Sequence, residues 1–138
     1  MNQFLFAVAV ACVLSVPTPT SASQEGLLAI GEVRVASPGI GDSGPIVVTA
    51  TRGPNGFSAF EVQAFGHATS LTKAQLAMIQ GQVNGVQMSY EAGYTELGGR
   101  AVHVVLSRGF TSGTQASQQI SVNERGRVTV EPEAWGHR

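Results

Sequence analysis

Cysteine and charge are both scarce in this chain of 138 residues. Cys12 is the single cysteine, so the sequence after it forms no disulfide and no thiolate metal site, and it has no thiol nucleophile. Charged residues make up 12% of the chain, against about 25% in an average globular protein. The net charge is −1. This balance predicts no nucleic-acid partner, because such proteins carry a clear basic excess.

The first 23 residues have the pattern of a secretory signal. Phe4–Val16 is an apolar run of about 13 residues, where a membrane-spanning helix needs about 20. Small residues at Ser21–Ser23 form a cleavage pattern. We expect cleavage after Ala22 or Ser23, a mature protein in the periplasm or outside the cell, and no stable membrane insertion after cleavage. The alternatives are an uncleaved anchor and a lipoprotein acylated at Cys12.

Residues 24–138 predict a single β-rich domain, because apolar and polar residues alternate along most of this region. Gly-rich or Pro-rich turn signals at 53–56, 97–99 and 123–126 separate several of the alternating segments. The polar tail from about residue 131 is expected to fray. The alternation predicts seven strands, near residues 26–36, 46–52, 57–65, 86–91, 101–106, 120–122 and 128–130.

One short helix interrupts the alternation. Thr72 and Gln75 have the spacing of a capping box, and Leu71, Leu76 and Ile79 fit a helical stripe that would end near Gly81. The predicted order is therefore βββ-α-ββββ. This order is typical of a mostly antiparallel α+β fold, in which the helix packs on a curved sheet or a small sandwich.

The candidates for catalysis are three polar residues in the second half of the chain, His103, Glu91 and Arg100. Pairing about the turn at 97–99 places Glu91 diagonal to His103, within reach of a hydrogen bond, and Arg100 lies beside the turn. A carboxylate that orients an imidazole is half of a general-base dyad. No serine lies in an elbow-type motif, so an ordinary cross-strand polar pair is the alternative interpretation.

The sequence predicts neither a metal site nor a cofactor. His67, His103 and His137 share no short spacing with one another. The glycines of 39–44 match the letters of a dinucleotide fingerprint, but Pro45 and a predicted strand follow them, where that motif requires a helix.

Three segments are candidate binding surfaces: the loop at 37–45, the tip at 96–100 and the segment 112–119. The last segment is small, polar and uncharged, and is interpreted either as a flexible loop or as a strand edge able to accept another chain. The individual residues that we predict for binding are Tyr94, Glu96, Arg100 and Arg108.

These observations favour a small exported, non-catalytic module that binds a protein, a glycan or an envelope component through loops or a free sheet edge. A first alternative is a small hydrolase or lyase that uses His103 and Glu91. A second alternative is a carrier that holds an apolar small ligand under the helix.

Overall fold

The computed structural model of this protein describes residues 29–79, 82–93, 99–109 and 113–137. Within these ranges the chain forms nine strands in two antiparallel sheets and one short α-helix, so the predicted fold class is confirmed. The predicted signal at 1–23, and Tyr94 and Glu96, lie outside the described residues.

The elements are β1 (Glu32–Ser37), β2 (Ile46–Gly53), β3 (Gly56–Ala64), β4 (His67–Ser70), α1 (Lys73–Met78), β5 (Gly85–Glu91), β6 (Ala101–Gly109), β7 (Thr114–Asn123), β8 (Val128–Val130) and β9 (Ala134–His137).

The first sheet contains β1 to β4 in chain order, each strand antiparallel to the next. The predicted turn joins β2 to β3, and Gly56 has a φ of 126° there. β4 lies in a segment for which the sequence predicts no strand. A two-residue turn at Phe65 and Gly66, with φ values of 53° and 79°, reverses the chain and allows β4 to pair with β3.

The second sheet contains β5 to β8 in chain order, and β9 pairs with the part of β7 that precedes its pairing with β8. The predicted register of the β5–β6 hairpin is confirmed, because Met88 lies opposite Val104 and Tyr90 lies opposite Val102. The predicted turn between β7 and β8 is also present. Gly126 has a φ of 76°, and its N–H donates to the Asn123 carbonyl at 2.9 Å.

Two expectations about this sheet need correction. The segment 112–119 is neither a loop nor a free edge where it is described, because β7 starts at Thr114 and pairs with β6 on one side and with β8 and β9 on the other. Gln118 of this strand is buried, and its Nε2 donates to the carbonyls of Met78 at 2.7 Å and Glu131 at 3.0 Å. The tail does not fray over Ala134–His137, which forms β9.

The two sheets pack their apolar faces together as a sandwich. Apolar side chains of β1, β2, β3, β6, β7 and β8 form a single buried cluster, and half-buried apolar side chains of β5 pack against it. Phe60 lies in this cluster, with its ring edge-on to Phe57 at a centroid distance of 5.7 Å. The largest fully buried apolar side chains are Phe60, Leu106, Ile120, Val48, Val62, Val83, Val102, Val104 and Val122.

The predicted capping box starts α1. Thr72 Oγ1 accepts from the Gln75 N–H at 3.2 Å, and Gln75 Oε1 accepts from the Thr72 N–H at 2.8 Å. The helix ends at Met78, earlier than the predicted stop near Gly81, because Ile79 returns to an extended conformation. Leu71 and Ile79 are buried and flank the helix, so these two residues fix it to the sandwich.

Connections alternate between the two ends of the sandwich, because consecutive strands are antiparallel. We call one end the loop end. It carries the connections 38–45 (β1–β2), 65–66 (β3–β4) and 124–127 (β7–β8), together with the described parts of the β5–β6 connection, 92–93 and 99–100. The helix α1 lies at the opposite end, beside the start of β3.

Candidate functional site

Arg100 joins the four connections of the loop end. It belongs to the β5–β6 connection, and its Nη1 donates to the Asp42 carboxylate in the β1–β2 connection. Its Nε donates to Glu124 Oε2 at 2.6 Å, in the β7–β8 turn. Its Cζ lies 5.9 Å from the ring centroid of Phe65, in the β3–β4 turn. A guanidinium suits this arrangement, because it is planar, has N–H donors in several directions and can stack its face on an aromatic ring.

The hydrogen bond with Glu124 raises the pKa of Arg100 above its ordinary value. Partial desolvation lowers this pKa, and the negative charges of Glu124 and Asp42 raise it. Arg100 therefore keeps its charge throughout the physiological pH range. The Asp42 side chain is 82% exposed, so salt screens the ion pair between Arg100 and Asp42. We therefore expect this pair to order the loop and to contribute little to the free energy of unfolding.

The β1–β2 connection folds around Ser43, which is completely buried. Ser43 Oγ accepts from the Ile40 N–H at 2.9 Å and donates to the Gly44 carbonyl at 2.9 Å. The Ser43 carbonyl accepts from the Phe65 N–H at 2.6 Å and so ties this connection to the β3–β4 turn. The segment predicted as a binding loop therefore has a fixed backbone shape.

This fixed loop borders a groove. Ile40 is 61% exposed at its tip. Between the loop and β5 lies a groove of about 390 Å³, lined by Ser37, Gly39, Ile40, Ile46, Met88, Ser89 and Tyr90. None of these lining residues is charged, so the groove presents an apolar and neutral surface beside the charged cluster of Arg100.

His103 lies on the outer face of the second sheet and forms the expected hydrogen bond with Glu91. His103 Nε2 is 3.0 Å from Glu91 Oε2. The side chain of His103 is 14% exposed and that of Glu91 is 47% exposed. A carboxylate only accepts hydrogen bonds, so it selects the tautomer with the proton on Nε2 and leaves Nδ1 as an acceptor.

Ser121 of β7 lies on the other ring nitrogen of this histidine. Its Oγ is 2.8 Å from His103 Nδ1, so a carboxylate, an imidazole and a hydroxyl lie in sequence. Gln119 Nε2 is 3.2 Å from the same Oγ and 3.3 Å from Glu131 Oε1. The sequence interpretation missed Ser121, because its place opposite His103 depends on β7 being the next strand of the sheet.

Arg108 is far from Arg100 along β6, towards the end of the sandwich that carries α1. Its Nη2 donates to the Glu133 carboxylate, and its Cζ lies 5.4 Å from the ring centroid of Trp135. The guanidinium thus contacts the β8–β9 connection and β9 itself. The structure does not bring together the two predicted binding arginines, and Arg108 holds β9 in place.

A larger groove, of about 720 Å³, lies over the first sheet beside α1. Leu71 and Leu76 line it on the helix side. The sheet contributes hydroxyl and charged side chains, which an apolar ligand would have to desolvate. These side chains are Glu32, Arg34, Thr49, Thr51, Ser58, Glu61 and Ser70.

Within the described ranges, the acidic residues and histidines form no cluster of three or more that is suited to a metal ion. In the same part of the chain, no helix has the length and apolar character required to cross a membrane.

Comparisons with models of protein families, with curated proteins and with solved structures find no match to this chain.

Proposed function

We propose that this protein is exported and acts as a non-catalytic binding module, which engages a protein, a glycan or an envelope component through its loop end. The observation that carries this proposal is the contact of Arg100 with the other three connections at that end. Loops that are already ordered lose less conformational entropy when they bind. Recognition residues are commonly found on loops that a rigid scaffold positions.

Export is supported by the apolar run and the small residues within residues 1–23. N-terminal sequencing of the protein purified from the periplasm or the culture supernatant tests export. The expected first residue is Ser23 or Gln24. A cytosolic product that starts at Met1 contradicts export.

Charge reversal at the loop end is expected to weaken binding. Arg125 is exposed in the β7–β8 turn. Arg125→Glu should reduce retention of the natural partner by about tenfold, because the loss of about 1.4 kcal/mol of binding free energy lowers the affinity by that factor. The measurement is a quantitative pull-down, in which the tagged protein captures its partner from extracytoplasmic extract of the organism that produces it.

The matched control is Arg34→Glu, the same charge reversal on an exposed arginine of the outer face of the first sheet. This variant should retain the partner as well as the unmodified protein does. Equal loss in both variants, or loss in the Arg34 variant alone, contradicts binding at the loop end.

A small hydrolase is the second candidate function, and the contact between Ser121 and His103 favours it. In that function, Glu91 orients the imidazole and His103 takes the proton of the Ser121 hydroxyl, as in the arrangement used for acyl transfer. Ser121 is only 4% exposed and lies in a regular strand, which favours the binding module instead.

A fluorophosphonate probe separates the two functions, because it modifies activated serine hydroxyls. We expect intact-mass spectrometry to find no adduct on the wild-type protein. An adduct that disappears in Ser121→Ala and persists in Ser117→Ala, a serine on the same face of β7, would establish the hydrolase and contradict the binding module as the whole function.

A further inference from the structure

The free edge of β5 carries almost none of the features that usually prevent association. β5 is the first strand of the second sheet and pairs with β6 without any shift of register. Among the described residues, no strand pairs with its other side. Its seven residues contain no proline or lysine, and Glu91 at the end of the strand is its only charged residue. Such an edge is a template for pairing with another strand.

The other edges of the sandwich are better protected. β4 and β9 have four residues each and β8 has three, which is too short for extended pairing. β1 is longer but carries Glu32 and Arg34, both exposed, and charges on an edge strand oppose association. β5 is therefore the edge, among the described strands, that is most suited to accept another strand.

We propose that two copies of this chain associate through antiparallel pairing of their β5 edges, about a twofold axis at Met88. This inference goes beyond the proposed function and does not depend on it. The occupant is a second copy because the sequence of β5, GVQMSYE, is complementary to itself in this register.

In this register, Val86 lies opposite Tyr90 of the second copy. At the axis, Met88 lies opposite Met88 of the second copy. A β-branched residue opposite an aromatic one is a favourable cross-strand pair. On the outer face, Gln87 lies opposite Ser89 of the second copy. Each Glu91 lies opposite Gly85, so the two carboxylates are at opposite ends of the interface and do not repel one another.

The groove beside β5 supports the same association. Met88 and Tyr90 are half-buried there, and Ile40 is exposed at the rim. Pairing at β5 would bring the apolar residues of the second copy's β5 alongside this neutral groove. The association would therefore remove apolar surface from water without the burial of a charged group.

Sedimentation velocity over a concentration series tests the proposal, with two double variants at the same exposed positions. The wild-type chain is expected to sediment with twice the monomer mass at high concentration. Gln87→Glu with Ser89→Glu places like charges opposite one another twice, and should raise the dissociation constant at least about tenfold. Gln87→Lys with Ser89→Glu places opposite charges at the same two contacts and should remain dimeric.

A cysteine cross-link tests the register. Cys12 is the single cysteine of the chain, so Met88→Cys in a Cys12→Ser background carries one thiol. Opposed residues in an antiparallel pair have a Cα separation that permits a disulfide, so mild oxidation should give a covalent dimer. The matched control is Ser70→Cys on the β4 edge, in the same background, which should stay monomeric on a denaturing gel.

A chain that is monomeric at every concentration overturns the proposal. A dimer that is equally stable in both charge variants, or that cross-links through position 70 and not through position 88, overturns it as well. None of these outcomes bears on the capture of a partner by the loop end, so the two proposals fail separately.

Discussion

Phe60→Ala is expected to lower the free energy of unfolding by about 3–5 kcal/mol, the usual cost of truncating a buried phenylalanine. Phe60 is 2% exposed and lies between the two sheets. Its removal leaves a cavity, because neighbouring strands are held in register by their hydrogen bonds and cannot close the space. The edge-on contact with Phe57 is lost as well. Urea denaturation followed by circular dichroism measures the change.

Gln63→Ala on the same strand is the matched control. Gln63 is exposed on the outer face of β3, so its truncation should change the free energy of unfolding by less than about 0.5 kcal/mol. Equal stability of the Phe60 and Gln63 variants would show that the sheets do not pack on Phe60.

Gly39→Ala is expected to destabilise the protein by more than about 2 kcal/mol and to disorder the loop end. Gly39 has a φ of 93°, which L-residues with a Cβ rarely adopt. A Cβ at this position would lie 1.8 Å from the Gly44 carbonyl oxygen and 2.6 Å from its carbon. Because the obstructing atoms belong to the backbone, relief requires a change in the path of the β1–β2 connection.

Denaturation and amide hydrogen exchange together measure this effect. The Ile40 and Phe65 amides, which donate to Ser43, should lose protection in Gly39→Ala. Gly31→Ala is the control, because a Cβ there meets nothing within 4 Å and its φ is not in the left-handed range. This control should change stability by less than about 1 kcal/mol. Unchanged exchange at both amides in Gly39→Ala contradicts the rigid loop.

The strands that could be predicted from the sequence are those in which side-chain alternation coincides with a clear turn signal. β2 and β3 flank a Pro- and Gly-rich turn, and β7 and β8 flank a turn that ends at Gly126. β4 could not be predicted, because it is short and polar and follows a phenylalanine at positive φ. Phe65 is an unusual residue at such a position, so Gly66 is the one local signal of the turn.

β7 and β9 show a different limit of prediction. Gln118 is a polar residue on the buried face of β7, and its amide is satisfied by carbonyls 40 and 13 residues away. Nothing in the local sequence predicts those partners, so the sequence predicts either a flexible loop or a free strand edge for this polar segment. β9 similarly depends on pairing with β7 and on the contact of Trp135 with Arg108.

The sequence predicts a contact between two candidate site residues only where both residues belong to one hairpin. Glu91 and His103 lie on neighbouring strands, so register alone placed them together. Arg100 and Asp42 are 58 residues apart, and their contact requires the packing of one sheet on the other. Ser121 requires knowledge of the strand order. The sequence therefore indicates the residue types at the loop end but not their convergence on one arginine.

Both sheets are meanders, and this has a consequence for the folding rate. Among the described strands, every pair except β7–β9 joins strands that are consecutive in the chain. The mean sequence separation of the paired backbone is therefore short, and little entropy is lost when each hairpin closes. Sandwiches with Greek-key crossovers must bring distant strands together first. A chain with this topology is expected to reach its native state faster than such sandwiches of equal length.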